Sequence, residues 1–411
     1  MAINTTSSTL TPQAGDDTYL TTEDYLTGNS LTAGGVLILD VMSNDLGGKA
    51  KVLWSIAGDD GIPLNKEDLQ ALLAADLNGG SVWDTTHYGN QIRINGTQIE
   101  YKLGNADAVN ALATGEVMHD TFTYSIRLAN GTLSLATVSV DIVGSNDAPT
   151  LLVAEGSGAA TEDILTVADD PNTPAVETSS YLTDSGIIRF DDVDLIDTHS
   201  TAVTPALGND LGGTLNAVVS DTATGDTDGA VTWTYSVANS ATQYLAAGET
   251  ATESFTIRIN DNHGGFVDQL ITVTITGTND GPVAVADVEG TTENAGVTVD
   301  VIANDTDVDA TDVLSLQAGS AAIGTMTLDS DDSTITVSTA MVSQSGNEIT
   351  FNPGTDFDFL ATGETATVVV GYTVTDDDGT PLTDAGTLTI TVTGTNDGPV
   401  AVADVEGTTE N

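Results

Sequence analysis

The sequence contains no cysteine, so no disulfide can stabilise it. Small secreted domains often depend on disulfides, and a chain without them must rely on its hydrophobic core or on bound metal. No stretch approaches the roughly 20 apolar residues of a transmembrane helix. Residues 1–12 have neither a basic region nor an apolar segment, which excludes a secretory signal peptide there. We expect a soluble segment, with any export signal elsewhere on a longer chain, as in type I secretion.

Basic residues are scarce: 8 Lys and Arg stand against 61 Asp and Glu, for a formal net charge of −53. Nucleic-acid binding needs Lys and Arg to displace counterions from phosphates, so it is excluded, and anionic membrane surfaces are disfavoured. Self-repulsion on this scale destabilises a compact state unless cations neutralise it. A surface adapted to high salt is the simpler alternative. The distribution favours bound cations, because no basic residue follows Arg258.

A long exact repeat organises the chain. The eighteen residues GTNDGPVAVADVEGTTEN occur at 277–294 and again at 394–411. The offset of 117 residues (394 − 277) is the length of a small domain and predicts a tandem array. Three units align, each with a turn L-A-x-G-E followed by an ending G-S/T-N-D-x-P. The alignment predicts domains at 1–147, 148–280 and 281–397, with 398–411 as the start of a further repeat.

Short alternating runs predict the fold class. Thr137–Val143, Gln269–Ile275 and Thr387–Val392 place Val, Ile and Thr at a period of two, which indicates half-buried strands. Gly, Asn and Asp clusters separate such runs at the spacing of a β-sandwich. One segment reads as a helix instead, because Asn65 is a suitable N-cap and an Asn-Gly pair follows Leu77. We predict an all-β chain with one helical insertion in unit one.

Two acidic clusters recur at matched spacing in units two and three. Asp192 precedes Asp261 by 69 residues, and Asp307 precedes Asp376 by the same 69 (261 − 192 and 376 − 307). The Glu of the repeated turn precedes the later Asp by 12 residues in both units. Positioned ligands require such fixed spacing, and Ca²⁺ prefers oxygen donors of this kind. Carboxylates that serve only turns and caps are the alternative.

In combination, these motifs resemble the VCBS and cadherin-like repeats of giant bacterial surface adhesins of the RTX class. The resemblance includes V-x-V-I-A-N-D-x-D-x-D, L-A-x-G-E-T-A-T, a strand ending in T-D-x-x-G, and G-T-N-D-x-P, and it covers most of the chain after residue 15. It implies three seven-stranded, antiparallel, immunoglobulin-like β-sandwiches strung into an elongated rod. It also implies Ca²⁺ at each junction between sandwiches.

The resemblance implies the ligands of each junction. They are a Glu near the start of one unit, the Glu of its turn, the Asn-Asp of the linker, and three Asp of the next unit. Each set supplies enough oxygens for about two or three Ca²⁺ at 6–8 ligands each. Asp24 and Asp163 are alternatives to their neighbours Glu23 and Glu162. The first junction would use Glu23, Glu116, Asn146, Asp147, Asp192, Asp194 and Asp261, and the second Glu162, Glu249, Asn279, Asp280, Asp307, Asp309 and Asp376.

Unit one departs from this pattern at its N-terminal pole. It reads VMSNDLGGKAKVL where unit three reads VIANDTDVDATDVL, so Lys49 and Lys51 occupy the region of the Asp-x-Asp. Twelve residues after Glu116 stands Leu128 instead of Asp. We predict that unit one is a cap without an acceptor half-site, and that its Lys residues pair with local carboxylates.

Other metal and catalytic sites find little support. Asp305, Asp307 and Asp309 imitate the start of an EF-hand, but Ala310 and Leu316 stand where that loop needs Gly and Glu. The four His are scattered without metal-ligand spacing, so we expect them at surface or strand positions. Neither G-x-S-x-G nor H-E-x-x-H occurs, and we expect no enzyme.

The aromatic residues of unit one allow two interpretations, structural packing or a ligand pocket. Trp54, Trp83 and Trp233 are most simply core residues. Trp83, His87 and Tyr88 follow the predicted helix, and an insertion packed over a sandwich edge explains them. They could also line a ligand pocket, which would make unit one a carbohydrate-binding module.

The sequence therefore predicts a non-catalytic, extracellular segment of a calcium-dependent adhesin at the bacterial cell surface. Its sandwiches would form a rod that Ca²⁺ stiffens, and it would hold an adhesive module away from the cell. The expected partners are further repeats of the same polypeptide and cell-surface or matrix ligands. A self-assembling filament or surface-layer subunit is the competing class, in which PVAVADVEGTTEN completes a neighbour by strand addition.

Overall fold

The chain forms three β-sandwiches that follow one another in sequence. The predicted further repeat at 398–411 lies almost entirely outside the residues described. The computed structural model describes residues 14–27, 36–58, 66–74, 82–154, 156–163, 181–329, 333–334, 341–398, 401 and 407.

The first sandwich contains eight described strands and three short helices. Its helix at 66–73 confirms the helical insertion, while the predicted N-cap Asn65 and the end after Leu77 lie outside the described residues. The elements are β1 (Asp17–Thr22), α1 (Glu23–Thr27), β2 (Val36–Leu39), a 3-10 turn (Gly48–Ala50), β3 (Val52–Gly58), α2 (Lys66–Leu73), β4 (Asp84–Thr85), β5 (Gln91–Asn95), β6 (Gln98–Lys102), α3 (Ala106–Asn110), β7 (Val117–Arg127) and β8 (Leu133–Val143).

The second sandwich follows the same plan without a helical insertion in its described part. Its elements are β9 (Thr150–Ala154), β10 (Ser157–Thr161), β11 (Tyr181–Asp191), β12 (Ser200–Pro205), β13 (Thr214–Thr222), β14 (Asp228–Ala238), a 3-10 turn (Asn239–Ala241), β15 (Thr250–Asn260) and β16 (Phe266–Thr276).

The third sandwich contains nine described strands, two of which are only two residues long and continue the edge of one sheet. Its strands are β17 (Asp287–Thr292), β18 (Val297–Asp300), β19 (Ser315–Leu316), β20 (Ala322–Leu328), β21 (Ser333–Thr334), β22 (Val342–Ser345), β23 (Glu348–Phe351), β24 (Thr365–Thr375) and β25 (Thr383–Thr393).

Each sandwich packs two sheets around its own hydrophobic core. The sheets of the first are β1-β8-β7-β3 and β2-β6-β5-β4, and those of the second are β10-β16-β15-β12 and β13-β14-β11-β9. The third pairs β17-β25-β24-β20-β21, with β19 on β24, against β18-β23-β22. Tyr124, Trp233 and Phe351 are among the largest fully buried side chains of the three cores.

The alternating runs form the strands that they predicted. Thr137–Val143, Gln269–Ile275 and Thr387–Val392 lie in β8, β16 and β25, the last strand of each sandwich. Burial alternates along these strands, because successive side chains of a strand point to opposite faces and only one face meets the core. No helix of the described residues is long and apolar enough to cross a membrane.

One pairing differs from the predicted antiparallel arrangement. β1 pairs in parallel with β8, β10 with β16, and β17 with β25. The remaining strand pairs of the described residues are antiparallel. The reason is topological: the chain enters each sandwich at one pole and leaves at the other, so these early and last strands run in the same direction. The expected seven strands per sandwich are also exceeded, because edge strands are interrupted and counted separately.

Candidate cation site at the junctions

The parallel strand pair positions a buried glutamate beside each linker. Glu23 follows β1 directly, and because β1 runs alongside β8, its carboxylate accepts a 3.0 Å hydrogen bond from the Ser145 amide. Glu162 follows β10 in the same way and accepts a 3.1 Å bond from the Thr278 amide. Both glutamates are at most 1% exposed, so they face the linkers and not the solvent.

The glutamate of the repeated turn lies at the same pole. The carboxylate of Glu116 accepts from the Ala113 amide at 3.2 Å, and its carbonyl accepts from the Gly144 amide at 2.9 Å. Glu249 forms the matching turn, with its carboxylate 3.3 Å from the Ala246 amide nitrogen. This turn therefore holds a second carboxylate at the start of each linker.

Each linker is hydrogen-bonded to the sandwich that follows it. The Asn146 side-chain amide donates to Asp261 at 2.9 Å, and the Asp147 backbone amide donates to Asp194 at 2.9 Å. These bonds bring residues from both sides of the first junction together.

The second junction repeats both linker contacts. Asn279 donates to Asp376 at 3.2 Å, and the Asp280 amide donates to Asp309 at 2.8 Å.

The Asp-x-Asp loops are also built alike. The Asp194 amide donates to the Asp192 carboxylate at 3.0 Å, and the Asp309 amide donates to Asp307 at 3.1 Å. Hydrogen bonds therefore connect each early Glu to its linker and each linker Asn-Asp to the next sandwich, whereas the carboxylates of Glu116 and Glu249 contact the amides of their own turns.

Buried oxygens without hydrogen bonds recur at equivalent positions of both junctions. A buried polar atom left without a partner costs about 1–3 kcal/mol, and more when it is charged. Their presence at matched places indicates that the folded chain leaves room for partners that are not protein groups. The matched atoms are Oδ1 of Asn146 and Asn279 and Oδ1 of Asp194 and Asp309; the first junction adds Oδ1 of Asp197, and the second adds Oδ2 of Asp280, Asp307 and Asp312.

Burial and crowding raise the pKa of several junction carboxyls. Burial, with the nearby charges of Asp147 and Asp194, raises the pKa of Glu23 to about 7. Burial raises the pKa of Asp194 to about 6, and burial with the charge of Asp163 raises that of Asp280 to about 7. These shifts mean that several ionised carboxylates are held together at a cost that a bound cation would remove.

The structure adds two carboxylates that motif reasoning missed. Asp197 lies with Asp192 and Asp261 in a group whose ligand atoms are all within 4.8 Å of one another. Asp312 forms a similar group with Asp307 and Asp309. The spacing contained the signal, because Asp197 precedes Asp261 by 64 residues and Asp312 precedes Asp376 by 64 (261 − 197 and 376 − 312).

The expectation of surface or strand positions is wrong for His199 and holds for His263, which is exposed. His199 has a fully buried side chain, with Nε2 2.8 Å from Asp192 and Nδ1 2.8 Å from the Thr222 carbonyl oxygen. Nδ1 of His263 lies 3.0 Å from Oδ2 of Asp197. His199 follows Asp197 by two positions, and His263 follows Asp261 by two positions. This spacing indicates a contact only when the folded conformation of the loops is known.

The N-terminal pole of the first sandwich has lysines in the region where the third sandwich has its Asp-x-Asp. The Lys51 ammonium donates to the carbonyl oxygens of Met42 and Asp45, the latter at 2.6 Å. The predicted pairing of Lys51 with carboxylates is therefore wrong, because its ammonium group binds backbone carbonyl oxygens of the turn instead. Lys49 is exposed.

The tryptophans of the first sandwich lie beneath cationic side chains. The Arg93 guanidinium lies 4.4 Å from the Trp83 ring centre and the Lys102 ammonium 5.6 Å from it, and Arg127 covers Trp54 at 4.3 Å. Both tryptophans are half-buried, unlike Trp233, so the prediction of a core position holds only for Trp233. A sugar ring would have to displace Arg93 to stack on Trp83.

Solved structures of extracellular cadherin domains are among those similar to this chain. The EC3–6 cis-dimer structure of protocadherin gammaB7 matches with a TM-score of 0.43 at 13% identity, over 92% of this chain and 72% of that one. Extracellular cadherin domains 1–5 of protocadherin gamma B2 match at 0.43 and 14%, over 94% and 60%. Mouse cadherin-23 EC22–24 matches at 0.40 and 16%, over 94% and 99%. At these identities the likeness concerns the fold alone.

No protein-family model matches the sequence, and no curated protein matches it.

Proposed function

We propose that this chain is a non-catalytic extender segment of an extracellular adhesin, in which Ca²⁺ binds at both junctions and fixes the angle between successive sandwiches. The proposed units have the limits 1–147, 148–280 and 281–397. Stiffened in this way, the chain would act as a rod that carries an adhesive module away from a bacterial cell surface.

The observation that carries the proposal is the matched set of buried oxygens without hydrogen bonds at the two junctions. Carboxylate and amide oxygens of this kind suit Ca²⁺, which takes 6–8 oxygen ligands in flexible geometry. Asp197 and Asp312 join the predicted ligands, because each lies within its acidic group. A carboxylate cluster that only capped turns would satisfy its oxygens with backbone amides.

Calcium would supply charge neutralisation, and the chain itself supplies the positioning. The parallel strands place Glu23 and Glu162, and the Asn-Asp linkers reach across to the following sandwich. Because ligands come from both sides of a junction, an ion bound there would resist bending of the linker.

Calorimetric titration of the metal-free chain with Ca²⁺ tests the proposal. We expect tight binding at two junctions and a smaller spread of radii of gyration in X-ray scattering when Ca²⁺ is present. The matched control is Glu289→Gln, which removes an exposed carboxylate within β17, opposite Ile390 of β25. Binding that this control abolishes, or no tight binding at all, would refute the proposal.

One observation favours a filament as the second candidate. Residues 281–294, which contain the edge strand β17, are repeated without change at 398–411. The second copy therefore has the sequence needed to replace β17 beside β25 of another molecule. Polymer formation that grows with protein concentration and stops when residues 398–411 are removed would support this candidate over the extender.

A further inference from the structure

A cavity of about 910 Å³ lies between the first and second sandwiches. On the first sandwich, its wall includes Leu26 of α1 and Ala111, the residue that follows α3. On the second sandwich, its wall includes Val193 and Leu195. Cavities that bind small molecules measure about 300–1,000 Å³ and have mostly apolar walls with a few polar groups. The size and the position of this cavity are therefore those of a ligand site.

The cavity adjoins the candidate cation site of the first junction. Val193 stands between Asp192 and Asp194 in the Asp-x-Asp loop, and Leu195 follows directly. The apolar residues of this loop line the cavity, whereas Oδ1 of Asp194 is one of the buried oxygens without a hydrogen bond. One short loop thus contributes to both sites.

The second junction has a direct contact at the equivalent place. Ala111 and Tyr244 both precede the Leu-Ala of the repeated turn, and Leu195 and Ala310 both follow an Asp-x-Asp. The Ala310 amide donates a 3.1 Å hydrogen bond to the Tyr244 carbonyl oxygen, so the two sandwiches touch there. The Tyr244 side chain is 44% exposed, which means that the folded chain covers more than half of it. The second junction therefore has a phenol ring where the first has the methyl group of Ala111 beside a cavity.

We propose that the cavity of the first junction binds a small phenol, which supplies the ring that Ala111 lacks. An apolar cavity of about 150 Å³ is enough to bind benzene, so a single ring needs only part of the volume. Lys102, Asn110 and Thr227 also line the cavity and offer partners for the hydroxyl group. This site goes beyond the proposed function, because its ligand is an organic molecule and its walls need no metal.

Binding of the ring and binding of Ca²⁺ should be coupled. A ring packed on Val193 and Leu195 restricts the loop that carries Asp192 and Asp194. Each ligand should then strengthen the binding of the other by the same factor, because coupling between two sites is reciprocal. The coupling rests on the proposed function, whereas the phenol site does not.

Titration of the full chain with p-cresol, the tyrosine side chain as a free molecule, tests the site. We expect saturable binding that shifts the methyl NMR signals of Val193 and Leu195. Ala111→Tyr, which copies the second junction, should weaken p-cresol binding at least about tenfold, because an attached ring takes the place of the free one and removes the gain from burying it. Thr227→Tyr should do the same from the opposite wall, and it replaces the first variant if that one does not fold.

The matched control is Ala129→Tyr, which adds a tyrosine at an exposed position between β7 and β8. This position lies at the end of β7 that is far from Glu116 and the first junction. Ala129→Tyr should leave p-cresol binding unchanged. The assignment is overturned if Ala129→Tyr weakens binding as much as Ala111→Tyr does, or if neither cavity variant weakens it. Methyl signals of Val193 and Leu195 that do not respond to p-cresol also overturn it.

A Ca²⁺ titration with and without p-cresol separates this assignment from the proposed function. If Ca²⁺ binds at both junctions and p-cresol does not bind, only the phenol site fails. If p-cresol binds and Ala111→Tyr weakens its binding while Ca²⁺ binds nowhere, the phenol site stands and the proposed calcium function fails.

Discussion

The two junctions share their ligand framework and differ in the charge beside it. Both have a buried glutamate hydrogen-bonded to the linker, an Asn-Asp contact to the next sandwich, and an Asp-x-Asp loop closed by its own hydrogen bond. At the first, His199 contacts Asp192, whereas the equivalent residue of the second is Leu314, which packs on the third core.

The buried histidine places an imidazole beside the carboxylates of the first junction. Both ring nitrogens of His199 face acceptors, an arrangement that favours the protonated ring. Burial alone would lower the pKa of His199, but its bonds to Asp192 and Thr222 outweigh burial and raise that pKa.

Unit three contains no Lys, Arg or His that could play this part at the second junction. Burial and the charge of Asp378 raise the pKa of Asp312 there to about 6. The comparison indicates that the second junction depends more strongly on bound cations than the first.

Calcium removal should produce the largest effect on stability and shape, and the two junctions should respond to it differently. A ligand that binds only the folded state stabilises it by about 2.7 kcal/mol at 100 times its Kd. We expect chelator to lower the melting temperature and to raise the radius of gyration. The second junction should loosen first. Identical heating scans and scattering curves in Ca²⁺ and in chelator would contradict this.

Single ligand substitutions should open one junction at a time. Asp280→Ala should weaken Ca²⁺ binding at the second junction by about 100-fold or more, since even outer-contact changes cost about 10–100-fold. Asp147→Ala should do the same at the first junction alone. Calorimetry gives the number of Ca²⁺ sites, and circular dichroism shows whether the sandwich cores remain folded. Global unfolding by either substitution would mean that these residues serve the cores.

Adding a unit at either end tests whether the C-terminal pole can complete a Ca²⁺ site and the N-terminal pole cannot. At the C-terminal pole, Glu293 is fully buried and accepts a 2.6 Å bond from the Thr395 amide, as Glu162 does from Thr278. A copy of unit three placed after Asn411 should therefore add a third set of tight Ca²⁺ sites. A unit placed before unit one should add none, because Lys51 occupies that pole. Equal gains from both additions would refute the assignment of unit one as a cap.

The smallest expected effect is the pH dependence of the metal-free chain. The folded-state pKa is raised to about 7 for Glu23 and Asp280 and to about 6 for Asp194. A raised carboxyl pKa contributes stability below its unfolded value, about 4, and that contribution is lost as the pH rises through the folded pKa. Metal-free protein should therefore lose stability between about pH 4 and 7.

Neutral variants provide the control for this pH effect. Glu23→Gln with Asp280→Asn should flatten the profile, and excess Ca²⁺ should do so in the native chain. Metal-free stability that rises over this range in the native chain but not in the double variant would contradict the assignment.

The sequence was informative where spacing was repeated. The sequence distance from Asp192 to Asp261 is repeated between Asp307 and Asp376, and Asp192 and Asp261 lie in one acidic group. Alternation predicted the strands, because one face of each sheet meets a core. The parallel pairing of β1 with β8 was not predicted, since it depends on the direction in which the chain enters and leaves the sandwich.

The remaining differences arose where the repeats diverge. His199 and His263 align with Leu314 and Asp378, so a search for matched residue types passed over them. Their contacts depend on loop conformation, including a left-handed Asn262 with φ of 64°, which sequence spacing does not encode. The sequence placed Lys51 at the correct pole but with the wrong partners. Pairing a lysine with nearby Asp or Glu considers side chains alone, and Lys51 binds backbone carbonyl oxygens.

The parallel pairing of β1 with β8, β10 with β16, and β17 with β25 has a mechanical consequence. Tension on a chain of such sandwiches pulls the two paired strands of each in opposite directions along their length. The hydrogen bonds between them are then loaded together in shear, whereas a hairpin pulled at its open end loses them one after another. We expect each sandwich to withstand high force in single-molecule stretching, and rupture at the low force of an unzipping hairpin would contradict this.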